Sequence, residues 1–153
     1  MSETWASSIK TLLKETFEGP GNGGSYYTDS RSNTGIFGTL EGLTAEDASL
    51  SINGSTIAAH SDHTRYYLWV IRTMIRGVDF EKDWDASWTI TQVDEEKWSE
   101  IRKGLHREYV TLLTEIDTID LENWLTNVNA TIAHSAYHLG ALRQMIKTLE
   151  IEK

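Results

Sequence analysis

Residues 131–149 read TIAHSAYHLGALRQMIKTL, and this stretch indicates the fold class. Positions along it recur at steps of three and four, the spacing of one face of an α-helix. The inward positions are Thr131, His134, His138, Leu142, Met145 and Leu149. The pattern predicts a long helix that begins near Leu121 or Trp124 and ends at about Leu149, with histidines in the middle of its buried seam.

A second predicted helix also carries histidines on its inward face. It starts after the turn signal Asn53-Gly54-Ser55 and extends to about Arg76, before Gly77 ends it. Its inward positions, again spaced by three and four, are His60, His63, Tyr67, Val70 and Met74. Two imidazoles therefore stand where an ordinary core would have leucine.

Two further amphipathic helices complete the predicted fold. One runs from about Glu3 to Glu18, and the other follows the acidic start Asp94-Glu95-Glu96, which suits the positive end of a helix dipole. The positions predicted to face inward are Trp5, Ile9, Leu12, Leu13 and Phe17 in the former, and Trp98, Ile101, Leu105, Tyr109, Leu112 and Ile116 in the latter. A chain of 153 residues can build one core, so the expected fold is all-α, a single antiparallel four-helix bundle over residues 1–153.

Irregular structure is predicted in two places. Eight of the eleven glycines and the only proline fall within residues 19–54, which makes the N-terminal third rich in turns. Within it, a short helical segment is expected around Gly35 to Leu43, and Thr44-Ala-Glu-Asp47 is typical of a cap that opens one more turn. Residues 78–93 are expected to form a packed connection between the second and third long helices, as a short hairpin or an extended strap. The tryptophans of this connection are Trp84 and Trp88.

The composition excludes several classes of protein. No cysteine is present, which removes disulfides, thiolate metal sites and cysteine nucleophiles, so a metal would have to use His, Asp or Glu. Fourteen basic residues against 23 acidic ones give a net charge of −9, which disfavours nucleic acid and anionic lipid as partners. No stretch approaches the ~20 apolar residues of a membrane span, and residues 1–14 lack a basic start followed by an apolar run. We therefore expect no membrane partner and a cytoplasmic location.

Four of the five histidines lie on the inward faces of the two helices described first. His134 and His138 are four residues apart, so both rings lie on one face and can share a metal ion. A lone histidine on an apolar face is usually a core residue with satisfied hydrogen bonds, and that interpretation is favoured for His60 taken singly. Several unpaired imidazoles buried together are costly, however. A divalent ion with a third ligand from the other helix removes that cost and keeps a coordination position open. The fifth, His106, is off the stripe and is expected at the surface.

Other catalytic patterns are missing from the sequence. No Glu precedes a histidine by three residues, which excludes a di-iron carboxylate bundle, and no His-Glu-x-x-His, Gly-x-Ser-x-Gly or phosphate-loop motif is present. No carboxylate lies on either histidine stripe, so no general base is nominated. Asp62 points about 100° away from its neighbour His63 around the helix, and we expect it to support another ligand or to be solvated.

Two stretches resemble the DinB superfamily of DinB/YfiT-like metalloenzymes. Residues 55–67, STIAAHSDHTRYY, are similar to the family's second-helix motif, in which a histidine follows a Ser/Thr-Ile start by about two turns. Residues 133–140, AHSAYHLG, are similar to its fourth-helix His-x-x-x-His motif, which usually continues Leu-Gly-Gln. Ala141 stands where many relatives have that glutamine, and Gln144 follows a turn later. The order of helices and the length agree over nearly the full chain.

The resemblance implies which residues would hold the metal. By the register of the motif it selects His63 on the second helix, together with His134 and His138. His60, one turn earlier, then becomes a residue of the pocket or a partner of the ligands.

Other parts of the chain lie near this site in sequence or differ from the family. Tyr67 and Tyr137 would line the pocket or, as we favour, pack. The loop Gly19–Ser32 is longer than usual for the family, and it would cover the metal site or, as we favour, lie on the surface.

The function implied by the resemblance is that of a metal-dependent enzyme. One divalent ion, nickel, zinc or iron, would act as a Lewis acid toward water or a thiol, in a transferase that uses a low-molecular-weight thiol or in a hydrolase. The expected partners are a small-molecule substrate and a second copy of the chain in a homodimer. The alternative is a non-catalytic helical protein, associated with stress, that binds a metal or dimerises.

Overall fold

The computed structural model describes residues 2–152, and the side chains of residues 4–150. Within that range the chain is all-helical, as predicted, and no strand occurs. The helices are α1 (Ser2–Glu18), α2 (Ile36–Leu40), α3 (Ala45–Ser49), α4 (Ile57–Ile75), α5 (Glu95–Glu115) and α6 (Leu121–Glu152). One turn of 3₁₀ helix, Ala86–Trp88, lies between α4 and α5.

The helices begin and end close to the short signals that predicted their ends. Thr44 and Asp47 form a capping box at the start of α3, in which each side chain accepts a hydrogen bond from the other residue's backbone N–H. Thr56 and Asp94 cap α4 and α5 by accepting a backbone N–H of the first turn. Gly77 follows α4 with a φ of 67°, the left-handed conformation in which glycine commonly ends a helix.

The hydrophobic core lies between the four long helices. α4 packs against α5 and α6, while α1 packs against α6 and α2. The largest fully buried side chains include Leu13, Phe17, Ile36, Ile57, Leu68, Trp98, Leu105, Leu112 and Leu142. Every predicted inward position of α5 is buried, and so is every one of α6 except His134, which is half-buried. The predicted faces of these two helices are therefore confirmed.

The prediction for the first turn of α1 was wrong at Trp5. This side chain is 49% exposed, and the buried face of α1 begins one turn later, at Ile9. Spacing alone cannot show how far along a helix the core extends, because that depends on which neighbours reach its end.

The loop after α1 is tied to that helix by one carboxylate. Glu15 is buried and accepts hydrogen bonds from the backbone N–H groups of Tyr26, Tyr27 and Thr28, and from the hydroxyl of Ser25. Burial by itself would raise the pKa of Glu15, but these hydrogen bonds outweigh it and lower the pKa to about 2. The loop therefore closes on an ionised group of α1.

The connection between α4 and α5 packs against α4, as predicted, and it forms no hairpin. Its middle folds into the 3₁₀ turn, and residues 78–83 and 89–93 on either side have neither helix nor strand. Asp83 stabilises this turn by accepting the backbone N–H of Ala86, and Tyr66 of α4 accepts the N–H of Asp83.

Among the described helices, none is long and apolar enough to cross a membrane.

Candidate metal centre

Three imidazole rings converge between α4 and α6. His63 lies on α4, and His134 and His138 lie one turn apart on α6. Nε2 of His134 is 3.2 Å from Nε2 of His63 and 3.2 Å from Nε2 of His138. Ligand atoms of the three residues all lie within 4.8 Å of one another, which is close enough to hold one metal ion.

The two short nitrogen distances agree with a tetrahedral site. Zinc binds imidazole nitrogen at about 2.0–2.1 Å, and tetrahedral angles then separate two such nitrogens by about 3.3 Å. The contacts of His134 with His63 and with His138 are close to that value, at 3.2 Å each. The donor set is all nitrogen and uncharged, which nickel, zinc and iron accept.

The orientation of His63 is set by a residue outside the two histidine helices. Nδ1 of His63 lies 2.7 Å from Oγ of Ser87, and that hydroxyl donates to the carbonyl of Trp84 at 2.5 Å. Since the single hydroxyl hydrogen goes to the carbonyl, the serine oxygen accepts from His63 Nδ1–H. Nε2 of His63 then carries a lone pair and is free to bind a metal.

His60 takes a comparable place beside His138. The Nδ1 atoms of these two rings are 2.9 Å apart, which is a hydrogen bond whose direction follows from the tautomers. A metal on Nε2 of His138 requires a proton on its Nδ1, and Nδ1 of His60 is placed to accept it. The structure thus brings His63, rather than His60, to the Nε2 atoms of α6.

His134 is oriented by stacking instead of by a hydrogen bond. Its ring lies on that of Tyr67, with centroids 3.9 Å apart and planes 16° from parallel. Its Nδ1 is buried, and no hydrogen bond to it occurs in the described part of the chain. Tyr67 therefore packs on the cluster, as favoured from the sequence.

Burial keeps the imidazoles of this cluster uncharged at neutral pH. It lowers the pKa of His134 to about 4, with a further contribution from His63, and that of His138 to about 3, with contributions from its histidine neighbours. The pKa values of His60 and His63 are lowered as well, chiefly by burial. Neutral rings offer lone pairs, which is the state a metal ion requires.

Two tryptophans of the α4–α5 connection form an aromatic wall beside the histidines. Trp88 stacks on His63, with centroids 4.2 Å apart and planes 19° from parallel, and meets His60 edge-on at 5.3 Å. Trp84 lies 6.3 Å from the ring of His63. These indoles are 38% and 40% exposed, so they lie at the surface, where Trp88 covers one face of the His63 ring.

The remaining residues considered from the sequence lie apart from this centre or at its edge. Tyr137 does not pack in the interior, contrary to the favoured expectation: it is 74% exposed and touches His138 edge-on, which places it on the rim. His106 is exposed on α5, as expected. Asp62 is not solvated, contrary to one expectation, and no hydrogen bond joins it to a histidine among the described residues. It is buried and accepts a 2.8 Å hydrogen bond from Nε of Arg65, because that residue lies one turn later on the same helix.

Sequence reasoning missed Ser87 entirely. The connection that carries it has no helical or strand periodicity, so nothing in its pattern assigns a direction to any side chain. The signal that was present is the position of this small hydroxyl residue beside Trp88, three residues after Trp84.

No family model matches the chain, and neither does any curated protein or solved structure.

Proposed function

We propose that the chain is an antiparallel four-helix bundle of the DinB/YfiT-like kind that binds one divalent metal ion through His63, His134 and His138 and uses it in catalysis. The observation that carries this proposal is the convergence of three Nε2 atoms inside the protein, with 3.2 Å between neighbours. The two histidine motifs and the order of the helices support the family assignment.

The charge of the donor set supports a catalytic site over a purely structural one. Three neutral imidazoles leave the full +2 charge on a bound ion, and three ligands leave at least one position open. When bound, such an ion supplies Lewis acidity, which lowers the pKa of a coordinated water or thiol. The three histidines of this chain would hold the ion, and Trp88 would cover the ring of His63 beside it.

The surroundings favour a small substrate with a soft anionic group. Trp84 and Trp88 present apolar faces beside the cluster, and the carboxylate nearest in sequence, Asp62, is engaged with Arg65. A thiolate is attracted by an uncompensated divalent charge and tolerates apolar neighbours better than a strongly hydrated anion does. We therefore propose a low-molecular-weight thiol as the substrate of a transfer reaction, with hydrolysis as the related possibility.

Metal content measured by mass spectrometry tests the metal site. The purified chain should carry about one nickel, zinc or iron ion per protein, and His134→Ala should lose it while far-UV circular dichroism stays helical. His106→Ala, which removes an exposed histidine of α5, is the matched control and should keep the metal. A wild-type chain that binds no divalent metal under saturating conditions would refute the proposal.

Turnover tests the enzymatic part separately. The metal-loaded protein should transfer thiols to an electrophile or hydrolyse an activated ester or amide, and chelation should remove that activity. If the metal-loaded protein is inactive toward both reaction classes, the enzymatic part of the proposal is refuted and only metal binding remains.

A non-catalytic dimerising protein is the second candidate, because large aromatic side chains are exposed near α1. Trp5 is 49% exposed and Tyr26 75% exposed. Such residues are enriched where proteins associate. If association is the function, sedimentation should show a dimer that Trp5→Ser dissociates, with or without a metal.

A further inference from the structure

Ser87 is buried beside the histidine cluster although it belongs to neither histidine helix. It lies in the 3₁₀ turn Ala86–Trp88 and is 3% exposed. Its Oγ is the only atom of the α4–α5 connection seen to hydrogen-bond a cluster imidazole among the described residues, at 2.7 Å from Nδ1 of His63. The connection between two helices thus reaches directly into the candidate metal centre.

The second hydrogen-bond partner of Ser87 determines whether its hydroxyl donates to His63 or accepts from it. It donates to the carbonyl of Trp84, at 2.5 Å, so towards His63 it can only accept. Accepting from Nδ1–H selects the tautomer of His63 that has its lone pair on Nε2, which is the atom that faces His134.

The turn that carries Ser87 is itself anchored. Oδ1 of Asp83 accepts the backbone N–H of Ala86 at 2.9 Å, and the hydroxyl of Tyr66, on α4, accepts the N–H of Asp83 at 2.9 Å. Trp88, on the other side of Ser87, stacks on the imidazole of His63. The serine oxygen is therefore fixed relative to the ring before any ligand arrives, and no rearrangement is needed to present it.

We propose that Ser87 is a positioning residue of the metal centre, which fixes the tautomer and the ring orientation of His63. This inference rests on the proposed metal site and adds the α4–α5 connection to it. Hydrogen-bond partners of metal-bound histidines typically account for about 10–100-fold in metal affinity. We expect Ser87 to lie in that range because its oxygen is buried and, within the residues that the structure describes, no backbone N–H of the turn donates to it.

Zinc affinity, measured by competition with a chromophoric chelator, tests the proposal on the full chain. Ser87→Ala should weaken zinc binding about tenfold or more, and Ser87→Thr, which keeps the hydroxyl, should recover most of that loss. Ser61→Ala is the matched control, since Ser61 is a fully buried serine two residues before His63 whose Oγ has no hydrogen bond among the described residues. Its affinity should stay within about twofold of wild type. Equal affinities for Ser87→Ala and wild type would overturn the proposal.

The tautomer of His63 gives a readout that needs no metal. In long-range ¹H–¹⁵N spectra of the metal-free protein, His63 should have its proton on Nδ1, and Ser87→Ala should move it toward Nε2 while Ser61→Ala does not. If the wild-type chain binds no nickel, zinc or iron but shows this shift, the proposed function fails, while the role of Ser87 in setting the tautomer of His63 survives. A proton on Nε2 of His63 in the wild type would overturn the positioning role, whatever the zinc affinity.

Discussion

Two buried polar clusters in this chain differ in how their hydrogen-bonding groups are matched. Around Glu15, a carboxylate that can only accept meets five donors from residues 25–28. Around His134, ring nitrogen meets ring nitrogen, with His63 and His138 each 3.2 Å away. The first cluster is complete within the chain, and the second is not.

The difference separates a structural cluster from one that calls for a ligand. A carboxylate surrounded by donors is satisfied and ties a loop to a helix. Two neutral imidazole nitrogens in contact share at most one hydrogen, and a third ring leaves lone pairs facing one another. A cation is the partner that such lone pairs lack, and no positively charged side chain hydrogen-bonds these three rings in the described part of the chain. Whether donors are matched to acceptors therefore distinguishes a ligand site from a structural cluster better than burial alone does.

The largest expected effect is stabilisation of the histidine cluster by zinc. At a free zinc concentration about 1,000 times the Kd, binding adds about 4 kcal/mol to the free energy of unfolding. For a chain of this size that corresponds to a rise in Tm of roughly 8–16 °C, measurable by scanning calorimetry with zinc and with chelator. His134→Ala should show no such rise. An equal rise in that variant would mean that zinc binds elsewhere.

A smaller effect is expected at Glu15, and it should leave zinc binding untouched. Glu15→Gln keeps the shape but removes the charge and turns an acceptor into a donor that faces the N–H of Tyr26. The free energy of unfolding should fall by about 2 kcal/mol in urea titrations, with unchanged zinc affinity. Glu41→Gln, at an exposed position, should change stability by less than about 0.5 kcal/mol. Loss of zinc binding in Glu15→Gln would show that the two clusters are coupled.

Lowering the pH should remove the stabilisation that ionised Glu15 provides. The pKa of Glu15 is lowered from 4.5 to about 2 in the folded chain, so its contribution to stability is present above pH 4.5 and is lost as the pH falls toward 2. The stability difference between wild type and Glu15→Gln should therefore shrink over that interval, as followed by urea titrations at successive pH values. A difference that stays constant down to pH 2.5 would show that the ionised form is not the stabilising one.

The smallest effect is expected from the aromatic neighbours of the histidines. Tyr67→Leu removes the ring stacked on His134, and stacking of this kind is worth about 0.5–1.5 kcal/mol, so zinc affinity should fall by roughly two- to tenfold. Tyr67→Phe keeps the ring and should bind as wild type. Tyr137→Leu, at the 74% exposed rim position, should change affinity by less than about twofold. A larger effect at Tyr137 than at Tyr67 would contradict the assignment of Tyr67 to packing on His134 and of Tyr137 to the rim.

How well each helix could be predicted depends on whether the signals that define it are local in the sequence. Caps and seams are local, so Thr44, Asp94 and Gly77 marked helix ends that the structure reproduces. The spacing of His134 and His138 placed both rings on the inward face of α6. Trp5 shows the limit of such reasoning, because a residue can continue a seam beyond the end of the core.

By itself, the sequence determined the all-helical class, the bounds of the long helices within a few residues and the histidine-bearing faces of α4 and α6. These follow from a period of 3.6 residues and from end signals that act over one turn. Only the tertiary structure decided that His63 meets Nε2 of His134 while His60 meets Nδ1 of His138, that Asp62 pairs with Arg65, and that Ser87 hydrogen-bonds His63. Those choices depend on the approach of two helices and on an aperiodic turn folded against them, and no local pattern encodes either.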